Sequence, residues 1–335
     1  MEGTSKIIRR SIFTFLQNFH YFTSIAALLA LPFSASILVS QALIPSFSSS
    51  SSSSSLLPTI YNRLQSLFDA AGFPPSSEFF TILNQKISQT ISSSIYTLPF
   101  TLTFFLISKA YVIQSLNKQK PNLQPSFSSI FSLFNPLLLT YICNSFLILS
   151  ANATVFTLLF FAFNVSESFG FNSPNNLLFL SAAGAVLYSI VLANTLIICN
   201  LALVLSGMER LGGYLAILKA CVLIRGRTST ALSLTLPVNL ALAAIEALFQ
   251  FRIIRAYQIS GKLTSSLAFE GIFIFYLYSI LLVLDSIVNC IFFKSCKKGN
   301  SWIDQEEKVS HEIKFADEDI IKGGFANLKT FEELP

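Results

Sequence analysis

The strongest constraint on the fold is a repeated pattern of long uncharged apolar runs separated by connections that carry lysine or arginine. The clearest run follows Arg225 and Arg227, contains no charge over residues 228–245, and is closed by Arg252 and Arg255. An apolar run of about 20 residues between basic flanks is typical of a helix that crosses a bilayer. The pattern predicts an all-α, polytopic membrane bundle.

The composition supports the same prediction. Of the 335 residues 53% are hydrophobic and 12% are charged, 34 are phenylalanine, and the mean hydropathy is +0.63. Soluble domains carry about 25% charged residues, roughly twice this fraction. A soluble fold of this size does not bury so much apolar surface, so the lipid bilayer is the expected partner of these side chains.

Six apolar runs predict six transmembrane helices within a membrane domain at 19–298. The chain before it, 1–18, is predicted to be cytosolic; a serine-rich spacer occupies 45–56, and a flexible acidic cytosolic tail occupies 299–335. The predicted spans are 19–44, 95–116, 137–163, 177–205, 228–251 and 267–293. The alternative is a five-span arrangement, in which one run stays outside the bilayer and the later helices are inverted.

The first run is interpreted as a retained anchor helix. Its 26 uncharged residues exceed the roughly 7–15 residues of a signal-peptide core. A cleaved signal peptide is the alternative, because the small residues near Ala42 loosely fit a cleavage site. Retention of this run is what places both termini on one side of a six-span protein.

Proline and small residues predict local features of the helices. Pro45 is expected to end the first span, an interfacial segment is expected before Pro136, and Pro99 and Pro237 are expected to kink spans two and five. A ladder of small residues in span four predicts close helix contact: Ser181, Ala185, Ser189 and Ala193. Amphipathic patterns predict interfacial helices near 57–71, 79–94 and 208–224.

Charge counting predicts the orientation. The connections on the side of the two termini, with Lys109 included, hold thirteen lysines and arginines, and those on the other side hold five. The positive-inside rule therefore predicts that both termini are cytosolic. Asn164 begins a glycosylation triplet on the predicted outer side, but it lies so close to span three that modification is not expected.

Three acidic residues within the spans are candidate intramembrane functional residues. A charge at the centre of a membrane helix costs about 2.5–3.5 kcal/mol on insertion scales. Asp285 is the deepest, and no lysine or arginine is predicted at its depth; Asn194, Asn200 and Asn239 are its candidate partners. The alternative to an ion relay is pairing between helices, which is the favoured interpretation for Glu246 and Glu270 because of the nearby arginines.

Basic residues and cysteines near the predicted cytosolic surface form a second group of candidates. The basic ones are interpreted as lipid-headgroup contacts or as plain topology signals. Cys296 is the first candidate for palmitoylation and Cys221 the second, since both lie beside basic helix ends. The candidate headgroup residues, which would bind anionic lipids, are Lys219, Arg225, Arg227, Lys294, Lys297 and Lys298.

The sequence offers little support for an enzyme. The two histidines lie at a membrane boundary and in the tail, and there is no zinc-protease motif, nucleophile elbow or phosphate-binding glycine loop. The five cysteines lack metal spacing, so neither a cofactor nor a metal is expected. Because the basic residues lie between apolar runs, a nucleic-acid partner is not expected either.

The run at 221–258, together with the basic and then apolar N-terminus, carries a resemblance. Its sequence is CVLIRGRTSTALSLTLPVNLALAAIEALFQFRIIRAYQ. It is similar to a group of plant multispan proteins of uncharacterised function, and the likeness covers most of residues 1–298. The resemblance implies a six-helix integral membrane protein of the plant plasma membrane or endomembranes. It carries over no catalytic or binding residue.

Two functional hypotheses follow from the residues. The first is a non-enzymatic scaffold that organises lipids or partners through the basic surface and the acidic tail. The second is a small-solute or ion transporter or channel that uses Asp285 and the kinked span at Pro237. Broken helices at matching places in two halves are a feature of transporters, and Pro99 and Pro237 lie in spans two and five.

Overall fold

The computed structural model describes residues 3–49, 56–70, 78–117, 127–168, 174–260 and 264–297. Within these residues every regular element is a helix, and there is no strand. The helices in chain order are α1 Thr4–Gln17, α2 (residues 19–49), α3 Leu56–Ala70, α4 (residues 78–117), α5 Phe127–Ser168, α6 Pro174–Glu209, α7 Tyr214–Ile224, α8 (residues 228–260) and α9 Ser265–Lys297.

Six of these helices are long and apolar enough to cross a membrane, and each overlaps one of the six predicted runs, although the second begins at Thr81 rather than at residue 95. The acidic tail at 299–335 and residues 50–55 of the predicted serine-rich spacer lie outside the described residues, whereas residues 45–49 of that spacer belong to α2. The candidate spans are Phe19–Ser40, Thr81–Asn117, Ile130–Ser166, Phe179–Glu209, Thr228–Ile259 and Ser265–Lys297.

Two proline stops were predicted wrongly. Helix α2 continues through Pro45 to Ser49, and α5 runs from Phe127 through Pro136 without an interruption. Proline removes one backbone hydrogen bond, but apolar helices in lipid tolerate it where nearby hydroxyls and neighbouring helices compensate. The segment before Pro136 is therefore the first part of α5.

Three of the long helices contain one turn of π-helix. Helix α2 has it at Ala26–Ala30, α4 at Thr101–Phe105 just after Pro99, and α8 at Gln250–Ile254, thirteen residues beyond Pro237. The π turns of α2 and α4 pack against each other. Single π turns inside helices occur frequently at functional sites, so the contact between the π turns of α2 and α4 is a candidate position for one.

The main core lies at one end of the bundle. We call this the basic end: α4, α6 and α9 end there, and α5 and α8 begin there. Its buried side chains come from every described helix except α3, and include Ile7, Phe22, Leu205 and Ile287. The opposite end, the far end, is where α2, α5 and α8 end. Two smaller clusters lie there, around Leu38 and Phe163.

Helix α1 was not predicted as a separate element. Ile7, Ser11 and Phe15 lie three or four residues apart, so they share one helical face, and that face is buried in the core. Helix α1 packs against α2 and α8. Helix α1 is therefore part of the bundle rather than a plain flank.

The pairing of α5 with α6 combines polar and small residues. The Asn144 side-chain amide donates to the Cys199 carbonyl oxygen at 2.9 Å. A Cβ on Gly184 would overlap the Leu159 side chain, so glycine permits the close approach there. The predicted ladder faces away from this contact, since Ala185 and Ser189 are exposed. Helix periodicity identified a small-residue face, but the buried glycine lies beside that face.

The connection into α7 depends on two adjacent glycines. Gly213 has a φ of 72°, and its N–H donates to the Thr140 hydroxyl at 2.9 Å. A Cβ on Gly212 would lie 3.1 Å from the Pro136 Cα. These glycines allow α7 to turn back against α5. Helix α7 then buries its Ala216 and Ala220 face and leaves Leu215, Leu218 and Val222 exposed.

Candidate functional site

The most unusual polar feature of the bundle is a pair of opposite charges on α4 and α9. The side chain of Lys109 is 3% exposed, and its ammonium interacts electrostatically with the Asp285 carboxylate. Measured along their helices, the two residues lie about 12 Å and 18 Å from the basic ends of α4 and α9. The prediction that no cation shares the depth of Asp285 is therefore wrong.

The surroundings of the pair are partly polar. Lys109 lies over the ring of Phe105 at 4.7 Å from its centroid, which is a cation–π geometry. Asn289 donates its side-chain amide to the Asp285 backbone carbonyl at 2.9 Å, and Cys290 is a further electrostatic neighbour of Lys109. The partners of Asp285 are thus Lys109 and Asn289, rather than the asparagines expected from the sequence. The charge of Lys109 on α4 thus partly offsets the charge of Asp285 on α9.

The two other acidic candidates lie nearer the far end. Arg252 Nε and Glu270 Oε1 are 2.6 Å apart, which confirms the predicted pairing of α8 with α9. Glu246 was expected near an arginine, but it accepts a hydrogen bond from the Tyr278 hydroxyl at 2.9 Å. Arg255 instead lies 5.4 Å from the ring centroid of Phe251. Both glutamates therefore join α8 to α9.

The basic candidates at the basic end are mostly engaged with protein groups. Glu209, at the end of α6, pairs with Lys219 at 2.7 Å and with Lys297 at 2.8 Å. Arg227 donates to the Cys296 carbonyl oxygen at 3.2 Å, and Lys294 donates to the Leu116 carbonyl oxygen. The last two contacts satisfy carbonyls at the ends of α9 and α4, which lack partners within their own helices.

These contacts change the interpretation of the predicted headgroup residues. Four of the six join helix ends to one another, and Arg225 is exposed. Lys298 lies outside the described residues. Lys219 and Lys297 still expose more than half of their side chains, 52% and 57%, so contact with lipid headgroups and pairing with Glu209 are compatible.

The two palmitoylation candidates have different environments. The Cys296 side chain is 1% exposed, whereas Cys221 is exposed on α7 between Leu218 and Val222. Desolvation by neighbouring groups raises the pKa of the Cys221 thiol, which lowers its thiolate fraction at neutral pH. Access therefore favours Cys221, the reverse of the order expected from the sequence. Asn164 lies within α5, and its amide donates to the Phe160 carbonyl oxygen at 2.9 Å.

A groove at the basic end was not predicted. It has a volume of about 860 Å³ and lies between α2, α4 and α5. The facing π turns contribute Leu28, Leu29 and Thr103 to its wall. Leu28 and Phe131, on opposite sides, are 73% and 75% exposed, so the groove opens to the surroundings of the bundle. The remaining lining residues are His20, Tyr21, Ser24, Ile25, Ile107, Tyr111, Ile130 and Phe134.

The groove is polar at its outer rim and apolar deeper down. His20, Tyr21 and Ser24 lie near the start of the first candidate span, and Leu28 and Leu29 lie further inside it. None of the described residues that line the groove carries a formal charge. The Tyr21 hydroxyl is fully buried, and it lies beside the side chains of Tyr111 and Ser115 rather than in the open space of the groove.

The groove escaped prediction because its walls are distant in sequence. Apolar periodicity shows which residues enter a span, but it does not show where two spans diverge. Tyr21, Ser24 and Leu28 were available as a signal, since they lie three and four residues apart and so share one helical face. Among the described residues no group of three metal-binding side chains is present.

These features define a class: an all-helical bundle with six helices long and apolar enough to span a membrane, an interhelical charge pair and a lateral groove. The chain belongs to the family described as Domain of unknown function (DUF8558), whose model matches residues 1–317. The match includes α1 as well as the six long helices. No curated protein and no solved structure shows significant similarity to the chain.

Proposed function

We propose that this protein is a non-enzymatic, multi-pass membrane protein that binds and organises lipids, and that the lateral groove is its binding site. The groove carries the proposal. Ligand sites are typically concave, mostly apolar and about 300–1,000 Å³ in volume, with a few polar groups that fix orientation. A groove of about 860 Å³ between spanning helices, open at Leu28 and Phe131, has this character.

The location of the groove favours a lipid over a solute from water. The rim residues of the groove lie near the start of the first candidate span, and its other lining residues lie further along the spans. Its open side would therefore face the acyl chains of the bilayer. Its exposed lining residues include the apolar Leu28 and Phe131, while His20, Ser24 and Thr103 are exposed polar ones. In this proposal both termini are cytosolic, and the basic end faces the anionic leaflet of the plasma membrane or an endomembrane.

The exposed basic residues add a second contact with lipid. Arg225 and the exposed parts of Lys219 and Lys297 lie where anionic headgroups are expected, and each charge near the surface contributes about 1 kcal/mol. Cys221 is the proposed site of palmitoylation, because its side chain is exposed between apolar residues of α7. Both contacts anchor the basic end without requiring a reaction.

The test is photocrosslinking of the purified full-length protein with a photoactivatable fatty acyl probe, followed by mapping of the labelled peptides. We expect label on α2, α4 and α5 around the groove. Ile107→Trp fills the groove and should remove this label. Ile272→Trp is the matched control, since Ile272 is 53% exposed on α9 outside the groove. Labelling spread over all exposed apolar residues and unchanged by Ile107→Trp would contradict the proposal.

Transport of an ion or small solute is the second candidate, and the Lys109–Asp285 pair favours it. Charges inside membrane helices frequently mark ion or proton pathways. The span at Pro237 gives less support to transport, because Pro237 is exposed on the outside of α8. Reconstitution into liposomes with a panel of ions and solutes tests transport. Flux that disappears in Asp285→Asn would support it, and absence of flux in wild type would exclude the tested solutes.

A further inference from the structure

We infer that the outer face of α1, the exposed stripe of Lys6, Arg9, Phe13 and Leu16, binds an anionic phospholipid. The phosphate lies between the two cations, and the acyl chains lie along the two apolar side chains. This inference rests on the proposed function in that the basic end meets an anionic leaflet. It goes further, because it assigns a headgroup class to a surface outside the groove.

Helix α1 is held in place by its inner face, so its outer face has a fixed position. The inner face, which carries Ile7 and Phe15, is buried in the core of the basic end. On the outer face Phe13 is 65% and Leu16 is 59% exposed, and both cations are exposed as well. The four outer residues are spaced by three, four and three positions, so they form a single stripe along the helix.

The apolar part of this stripe fits acyl chains better than water. Two large apolar side chains on a fixed helix face would be unfavourably hydrated if they pointed into the cytosol. The first candidate span begins at Phe19, three residues after Leu16, and Phe19 itself is 46% exposed. The end of α1 that carries Phe13 and Leu16 therefore adjoins the bilayer.

The polar part of the stripe lacks a negative charge of its own. Lys6 and Arg9 make no ion pair or side-chain hydrogen bond within the described residues, whereas lysines of α7 and α9 share Glu209. Residues 3–18 contain no carboxylate, and α8, against which α1 packs, has none before Glu246. Two cations one helical turn apart can contact a phosphate from both sides.

The order of the two parts along α1 matches the polarity of a membrane interface. Measured along the helix, the centre of the cation pair lies about 10 Å before the centre of the apolar pair. The polar region of each leaflet is about 5–8 Å thick. When α1 is inclined so that its last turn enters the bilayer, the cations lie at the level of the phosphates and the apolar pair reaches the acyl chains.

Net charge decides which phospholipid this face prefers. A zwitterionic lipid has the same phosphate, but its own ammonium group offsets part of the attraction to the two cations. A lipid with a net negative charge keeps that attraction, and each basic residue near the surface increases its affinity about fivefold. The outer face of α1 therefore selects anionic over zwitterionic phospholipid.

The experiment uses the purified full-length protein in lipid nanodiscs and two photoactivatable probes with the same acyl chains, a phosphatidylserine and a phosphatidylcholine. At equal mole fraction, we expect the phosphatidylserine probe to label the peptide with Phe13 and Leu16 at least fivefold more strongly. Lys6→Gln combined with Arg9→Gln should reduce this label to the level of the phosphatidylcholine probe. Labelling of the groove should not change, because none of its described lining residues belongs to α1.

The matched control is Arg63→Gln combined with Arg255→Gln, which removes two exposed cations from the far end. It should leave the label on α1 unchanged. Equal labelling of α1 by the two probes would overturn the inference. So would phosphatidylserine labelling that persists without Lys6 and Arg9, or an equal loss of label in the control.

The groove separates failure of this inference from failure of the proposed function. If α1 shows no preference while groove labelling is lost in Ile107→Trp, the inference is wrong and the proposed function stands. If the groove is not labelled in wild type while α1 prefers phosphatidylserine, the groove proposal is wrong and the headgroup site on α1 stands.

Discussion

At the basic end every described helix except α3 contributes to one continuous core, whereas at the far end the described residues form two separate clusters. One far-end cluster joins α2, α8 and α9 around Leu38 and Tyr278. The other joins α3, α4, α5 and α6 around Phe163. The contacts made by lysine and arginine follow the same division, since cations join the ends of several helices at the basic end and Arg252 joins only α8 and α9 at the far end.

The difference shows which contacts decide how the helices of such an apolar protein associate with one another. In lipid, apolar side chains gain little from leaving one helix surface for another, so packing detail and polar contacts decide which helices associate. The basic end has both, through a buried core and ties at helix termini. The groove begins within this end, where α2 and α4 diverge around their π turns. We expect the two ends to respond differently to matched substitutions.

Removal of the buried cation should have the largest effect. Lys109→Met removes the opposite charge that interacts with the half-buried Asp285 carboxylate, and we expect a loss of about 3 kcal/mol, the lower end of the range for one partner removed from a buried pair. Unfolding by denaturing detergent in mixed micelles measures the loss. Lys109→Met combined with Asp285→Leu should be more stable than Lys109→Met alone. A double variant as destabilised as the sum of the two single variants would show that the charges do not interact.

Glycine-to-alanine substitutions compare packing at the two ends. The Cβ of Gly207→Ala would lie 2.8 Å and 3.0 Å from two methyl groups of Ile113, a β-branched side chain that is 1% exposed and has little freedom. We expect a loss of about 2 kcal/mol. In Gly184→Ala only one Leu159 methyl group overlaps the new atom, and rotation of that side chain relieves it. Equal losses in the two variants, measured by detergent unfolding, would contradict the comparison.

Glu209 allows a test of the cation ties. Glu209→Gln removes the charge that holds Lys219 and Lys297, while its own side chain is 14% exposed. Because both lysines are about half exposed, we expect a loss of only about 1 kcal/mol, reduced further at high salt. Unfolding at low and high ionic strength measures both effects. A loss that does not change with salt would show that the contact acts by packing rather than by charge.

The smallest effect is expected at the far end. Arg252→Gln breaks the ion pair with Glu270, whose partners are 56% and 33% exposed. Exposed pairs contribute about 0.5 kcal/mol, so the variant should unfold almost as wild type does. A loss equal to that of Lys109→Met would mean that the far end is held as tightly as the basic end, against the comparison made above.

The sequence predicted the six long helices because hydropathy over a span of about 20 residues depends on composition and not on tertiary contacts. It also predicted the pairing of Arg252 with Glu270, since both lie near the same ends of neighbouring runs. Charge counting assigns every lysine near the end of an apolar run to the flank of that run, and this assignment was wrong for Lys109. A lysine eight residues from Asn117 looks like a flank, and only the packing of α4 against α9 shows that it is buried.

The helix boundaries at Pro45 and Pro136 were missed because proline is a strong stop in water but a weak one in an apolar helix. The groove and the core position of α1 were missed for a different reason. Both depend on how helices far apart in sequence are arranged laterally, and no periodic pattern in one helix encodes that arrangement.

The place of α1 in the core has a consequence for biogenesis. Helix α1 is synthesised well before α8, which begins more than two hundred residues later, yet the two helices pack against each other. At roughly 5–20 residues per second, its buried face has no partner on α8 for many seconds. Nascent chains halted before Thr228 should therefore expose this face to chaperones or to the membrane surface. Helix α1 could then take its place in the core only after α8 has been synthesised.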